Sequence, residues 1–524
     1  MLNKIIKKFS ENTRLHVLIV FFSAVITFFP TSKFFFYLDE WGALYEFTHK
    51  PYQFGLFTTN NYYLLYKLFG LNAAGYYSAG ILIYALSVVL FYFFARYLFK
   101  NKLMGLVAGL LYATTPVGTN TATMIWTYVA EGGYPMGIML LLCLYSLLKY
   151  LRERKLIYFA LSALGFAYFL DLEPRRVFLF VPILFLLDWS VSAKKFIPSA
   201  GFFVRQAVFL GIFIAYYNYD VTITEIVTKG QISVAHSTLG GDAKLDFGIQ
   251  ALTHIKPFVS LTNVLLGGPW ILIAPSLNGY VDIFNPEHMH SLAIFTTAVA
   301  LGLIVLSFKV KREWGFLNLF ALGWVYSNVM GFYIFSSPGV SDTVHRTLSI
   351  AAPGYALFFT ISGFSLYTFF KQKKWKSGKF FNRAFLFLLV AFTGINMLAS
   401  HYNFNKQIVF QGIPAKNFFK NLKSWYPTLP KNSIIYIDTP RDVHIRYQLS
   451  RIYGGNPYGN ASSIAAFYPE IKKEELLVLT NFVEVENLVE KDPSYVDRVF
   501  GFYFDKTGLQ NKTEEIRQKL TSEF

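Results

Sequence analysis

Charge is scarce in this sequence, and cysteine is almost absent. Only 15% of its 524 residues are charged, against about a quarter in a soluble chain of this size. Too few ionised side chains are present to clothe a soluble globule. Cysteine occurs once, at Cys143, inside an apolar run. No disulfide framework and no cysteine-based metal site can form within one chain, and Cys143 reads as a small apolar packing residue. A Gly-rich phosphate loop is lacking too. Gly240-Gly241-Asp242 follows no strand and precedes no clear helix, which argues against a soluble nucleotide as a ligand.

What is abundant is hydrocarbon. Hydrophobic residues make up 54% of the chain, aromatics 19%, and the mean hydropathy is +0.38. Phe and Tyr, 56 and 35 copies, suit lipid-facing helices and interfacial belts. Apolar runs of spanning length fall near 15–31, 76–98, 102–117, 134–151, 156–171, 177–190, 200–219, 291–308, 315–335, 349–370 and 384–401. The expected fold is a polytopic α-helical membrane protein with about eleven transmembrane helices. A further apolar stretch, 257–276, is interrupted by Gly267-Gly268-Pro269 and Pro275. Lys4, Lys7, Lys8 and Arg14 precede the first run, and no small-residue cleavage site follows Pro30. That run reads as an uncleaved first helix.

The formal charge of +17 is mostly a topology signal. With the N-terminus in the cytoplasm and 257–276 not crossing, the inner segments collect nearly all the dense basic clusters. Examples are Arg96, Lys100 and Lys102, then Lys149, Arg152, Arg154 and Lys155, and the run Lys371 to Arg383. This is the positive-inside bias. If 257–276 crossed, the later clusters would change sides, so it is expected to re-enter or lie along the outer face. Nucleic-acid binding loses its main support, because residues 402–524 are nearly balanced in charge.

Two domains follow: a membrane region, 1–401, and a soluble C-terminal domain, 402–524, placed outside the cytoplasm by parity. In the latter, Ser433 to Asp438 reads as a buried strand and Leu476 to Leu479 as a second apolar run. Phe500 to Phe504 reads as a weaker strand and Thr513 to Leu520 as a helix. About 120 residues suffice for one small α/β domain.

The outer loops hold the candidate chemistry. Asp39-Glu40 sits just past the first run, where adjacent carboxylates repel and can leave one poised as a base. The competing reading is a mere marker of the membrane edge. Lys50 and Lys67 share that loop, and its later half, from Asn61 to Phe69, is amphipathic and aromatic, suited to the interface plane. Asp171-Leu172-Glu173-Pro174-Arg175-Arg176 packs four charges into a short loop. The arginines suit phosphate, and mutual salt bridges are the alternative. His345-Arg346 offers a second cationic pair, or a snorkelling arginine. Glu287-His288-Met289-His290 lacks the helical His-Glu-x-x-His spacing. The residues identify no cofactor with certainty, and a divalent metal ion is left open.

The layout resembles the GT-C superfamily of integral-membrane glycosyltransferases, which includes protein O-mannosyltransferases and bacterial lipid A aminoarabinose transferases. The likeness rests on an N-in first helix, the Asp39-Glu40 motif after it, and juxtamembrane helices in that loop. About eleven crossings and a C-terminal outer domain complete it. It implies transfer of a sugar from a polyprenyl-phosphate donor to an acceptor hydroxyl on a glycan, lipid or protein. The implied site faces the periplasm or exterior of a bacterial inner or plasma membrane. Carried over, Asp39 would deprotonate the acceptor, Glu40 would orient it or Asp39, and Asp171 or Glu173 would help on the acceptor side. Charge and side suggest Arg175, Arg176, His345, Arg346, Lys50 and Lys67 for the lipid phosphate. A base opposite the leaving phosphate gives inversion in a single displacement. The alternatives are a transporter or flippase for a lipid-linked or anionic solute, which the broken stretch at 257–276 would suit, and an O-antigen ligase or polymerase.

Overall fold

The computed structural model describes residues 12–36, 38, 40–49, 58–130, 133–172, 177–192, 199–228, 255–277, 282–283, 285–335, 340–372, 378–453 and 460–522. The chain divides into two compact units. One comprises 1–29, 80–122 and 127–403, and the other 30–79, 123–126 and 404–524.

The first unit is a helical bundle. Seven helical stretches across the described chain are long and apolar enough to cross a membrane, and four shorter apolar helices accompany them. Several present hydrocarbon outward in the manner of a lipid-facing surface. Leu18, Phe22, Ile26 and Phe29 form one exposed stripe at helical spacing, and Leu386, Phe387, Leu388 and Val390 form another exposed run. With no driving force from water between helices, association in lipid depends on close backbone approach. Small residues supply it here. A Cβ on Gly354 would lie 2.9 Å from Trp324 Cβ, and one on Gly109 would lie 2.9 Å from Val20. Cys143 is buried, and its thiol contacts the Ser162 carbonyl at 3.2 Å.

The interrupted stretch is helical over Lys256–Leu277, with a break at Gly267, where φ is +52° and ψ −126°. The Gly-Gly-Pro signal thus divides the segment into two helical parts that meet at Gly267, and the segment as a whole is among the stretches long enough to span. Glycine is required at the break twice over. Its φ is left-handed, and a Cβ there would meet the Tyr355 hydroxyl at 2.5 Å. The next amide, Gly268 N–H, donates to Asn396 Oδ1 at 3.1 Å, which satisfies backbone released by the break.

The second unit contains a four-stranded sheet: β1 (Ser433–Asp438), β2 (Leu476–Leu479), β3 (Val499–Asp505) and β4 (Gly508–Asn511), in the order β2-β1-β3-β4. β1 is parallel to both β2 and β3, while β4 is antiparallel to β3. As the central strand, β1 is buried along almost its whole length, which is why it reads as an unbroken apolar run. Ile434, Val485, Val499 and Leu520 form a core between sheet and helices. The expected C-terminal helix runs from Thr513 to Ser522.

Candidate functional site

The acidic motif belongs to the second unit. The turn before it is strained: Leu38 has φ +52°, a left-handed conformation that costs an ordinary side chain about 1–2 kcal/mol. Backbone bonds at both sides pin it. Leu38 N–H donates to Arg451 O at 3.1 Å, and Trp41 N–H donates to Leu38 O at 3.3 Å. Such strain concentrates at functional sites, where the surroundings over-determine the chain. Asp39 lies outside the described residues.

Glu40 opens the helix Glu40–His49 and is only 2% exposed. Its carboxylate accepts a hydrogen bond from the Ile125 backbone N–H, 85 residues away in sequence. An acidic group at a helix N-terminus also gains from the dipole. Tyr62, fully buried on the helix Thr58–Phe69, feels this charge. Its phenol pKa is pushed well above the ordinary value, first by burial and then by Glu40.

Trp41 anchors the same helix. It is 1% exposed, and its Nε1–H donates to Ile452 O at 2.8 Å. Its ring lies 4.6 Å from Phe419 and 5.4 Å from both Phe36 and Phe467. Lys473 N–H donates to the Tyr45 hydroxyl at 3.1 Å, and His49 Nε2 lies 3.0 Å from Ile471 O. The helix that starts at Glu40 is thus held along its length by backbone groups 400 residues downstream.

The remaining expected residues fall as follows. Lys67 shares the second unit, is exposed, and places its ammonium 5.2 Å from the Tyr63 ring centroid. His345 and Arg346 belong to the first unit. His345 caps the short 3₁₀ turn Arg346–Ile350, with Nδ1 2.8 Å from Thr347 Oγ1. Arg346 is exposed, and its carbonyl accepts from Thr121 Oγ1 at 2.7 Å. That turn is tied to the loop after the helix Lys102–Thr114. Gly118 N–H donates to Thr343 O and Asn120 N–H to Val344 O, both at 2.9 Å. Asp171 lies in the last turn of the helix Leu156–Leu172, its side chain outside the described residues. Lys50, Glu173, Arg175 and Arg176 lie outside them altogether. Glu287, His288 and His290 occupy the first turns of the helix Pro286–Val310. No cluster of three His, Cys, Asp or Glu side chains suited to a metal occurs among the described residues.

Leu38, Tyr62 and Ile125 were not singled out by sequence reasoning. Tyr62 sat within the aromatic stretch already noted, but the strain at Leu38 and the amide of Ile125 leave no mark in residue types.

No family model and no curated protein matches the chain. Among solved structures it is similar to the crystal structure of ArnT from Cupriavidus metallidurans bound to undecaprenyl phosphate. The TM-score is 0.44 and the identity 12%, over 95% of this chain and 94% of that one.

Proposed function

We propose that this protein is an integral-membrane glycosyltransferase that moves a sugar from a polyprenyl-phosphate donor to an acceptor hydroxyl on the extracytoplasmic face. The observation that carries the reading is the acidic motif: a buried Glu40 fixed by a backbone amide, next to a strained Leu38. A carboxylate withdrawn from water and held in one direction is costly to build, and a left-handed leucine beside it adds to that cost. Asp39 acts as the general base, and Glu40 orients Asp39 or the acceptor. Asp171 or Glu173 contributes on the acceptor side. Arg175, Arg176, His345, Arg346, Lys50 and Lys67 receive the lipid phosphate as negative charge develops on it. Displacement opposite the phosphate inverts the anomeric centre. Residues 402–524 are the extracytoplasmic domain.

The test is sugar transfer by purified protein from a polyprenyl-phosphate donor, comparing wild type with Asp39→Asn. Loss of transfer with an unchanged unfolding temperature supports the assignment. Unchanged turnover in Asp39→Asn would remove the base. Substrate translocation without transfer by the wild type would replace the enzyme with a transporter.

A further inference from the structure

Within the helical bundle, a cavity of about 530 Å³ opens among helix ends, lined by Phe93, Arg96, Tyr97, Lys100, Asn101, Lys102, Tyr145 and Arg152. Four of these are cations and none is a carboxylate. A second cavity of about 380 Å³ shares Lys100 and Arg152 as a common wall and adds Arg312 beside Glu313. Glu313 pairs with Lys311 at 2.8 Å and also feels Lys100 and Arg152, and Glu153 accepts from the Tyr97 hydroxyl at 2.9 Å, so the cations outnumber the carboxylates around them without being alone.

The cluster is built, not merely gathered. The helix Lys102–Thr114 closes on the end of the helix Ala73–Phe99 so tightly that a Cβ on Gly105 would lie 2.7 Å from Arg96 Cβ. Only glycine permits that approach, and it sets Arg96 against the start of the neighbouring helix. Arg152 is half-buried. Its guanidinium donates to the carbonyls of Tyr97 and Leu98, the latter at 2.8 Å, and lies 4.9 Å from the Tyr97 ring centroid. Two of the five guanidinium N–H donors are spent on this anchoring, and a planar fork held in place suits phosphate oxygens. Leu103, beside Lys102, is 39% exposed, and Leu156 and Ile157 on a neighbouring helix are 75% and 60% exposed. Hydrocarbon thus borders the basic ends. The sequence puts these same residues among the inner segments, where anionic lipid is found.

We propose that this cavity is a binding site for a phosphate group at the inner membrane surface, carried by an anionic phospholipid headgroup. Lys100 and Lys102 attract it, and Arg152 and Arg96 orient it. The site is independent of the transfer reaction proposed above and stands or falls without it.

Thermal unfolding of the full-length protein in neutral detergent tests this, with dihexanoyl phosphatidylglycerol, dihexanoyl phosphatidylcholine or inorganic phosphate added. Saturable stabilisation by the phosphatidylglycerol, by about 2 °C or more and not by the phosphatidylcholine, is expected. Lys100→Gln/Lys102→Gln should unfold normally without lipid and need about tenfold more phosphatidylglycerol for half the effect. If the double variant does not fold, Lys100→Gln alone and titration with salt, which screens the attraction, give the same readout. Equal stabilisation by inorganic phosphate would keep the phosphate site but overturn its assignment to a lipid. Equal effects of both lipids, or no change in the variants, would overturn the site and leave the cluster as a topological anchor only.

Discussion

Among the described residues, two carboxylates are withdrawn from solvent in different regions of this protein, and they are held by different means. Asp188, in the bundle, is 0% exposed and receives both ends of a guanidinium fork. Arg205 Nε donates to Oδ2 at 2.8 Å and Nη2 to Oδ1 at 2.7 Å. Ser192 and Gln206 add bonds of 2.8 and 3.1 Å. That charge is cancelled where it lies and serves architecture. Glu40, in the other unit, is 2% exposed and takes a peptide N–H. The contrast separates a carboxylate paired with a guanidinium from one that accepts a backbone amide at a helix start.

The sharpest way to break this comparison is chemical. Asp39→Asn should lower sugar transfer by about 10²–10⁴-fold. Glu40→Gln keeps an oxygen for the Ile125 amide, so it should lower transfer by about tenfold or more while the unfolding temperature stays put. If Glu40→Gln unfolded the protein and left specific transfer intact, Glu40 would join Asp188 as architecture.

Arg205→Ala should do the opposite. It strands the buried Asp188 and should cost about 3–5 kcal/mol in stability, read by denaturant unfolding in detergent. Adding Asp188→Leu should recover most of that loss. Trp41 grades the anchoring of the acidic helix. Trp41→Ala, which empties the aromatic cluster, should cost about 3–5 kcal/mol, and Trp41→Phe, which loses only the bond to Ile452 O, about 1–3 kcal/mol. Both should lower kcat more than they raise KM if the helix positions the base. At Leu38, Val should cost about 1–2 kcal/mol because a branched side chain resists the left-handed region, whereas Gly should be close to neutral.

The smallest effect lies in the sheet domain. Asp505 is held below the ordinary carboxylate range, chiefly by the Thr507 hydroxyl at 2.6 Å and then by the Thr507 amide at 2.8 Å. A depressed carboxyl pKa stabilises the fold above its ordinary value, about 3.9, and the contribution fades as pH falls through the depressed one. Asp505→Asn should therefore narrow the difference in unfolding temperature between pH 7 and pH 3, by an amount small enough to need paired measurements.

Much of the fold was legible because it follows from local pattern. Apolar run length gave the helices, the Gly267-Gly268-Pro269 signal gave the break in Lys256–Leu277, and unbroken apolar residues gave β1. Strand β4 escaped notice, since Gly508 to Asn511 carries almost no apolar signal and exists because β3 offers it an edge. The candidate site was legible only as residue types. That Glu40 would meet Ile125, or Trp41 meet Ile452, depends on pairings across 85 and 411 positions, and no periodicity encodes these. Nor could composition foresee that the loop 30–79 folds as one unit with residues 404–524. Turn strain at Leu38 is invisible for the same reason: leucine is an unusual choice there, and only the surrounding bonds hold it.

That segmented unit bears on how the protein is made. Its three pieces, 30–79, 123–126 and 404–524, emerge from the ribosome far apart in time. At about 5–20 residues per second, the acidic loop waits on the order of tens of seconds for the strands and helices that anchor Trp41 and Leu38. Until then the motif has no means of adopting its strained turn. The nascent protein therefore carries Leu38, Glu40 and Trp41 in an unassembled state while the bundle is made, and their anchoring is completed only with the last part of the chain.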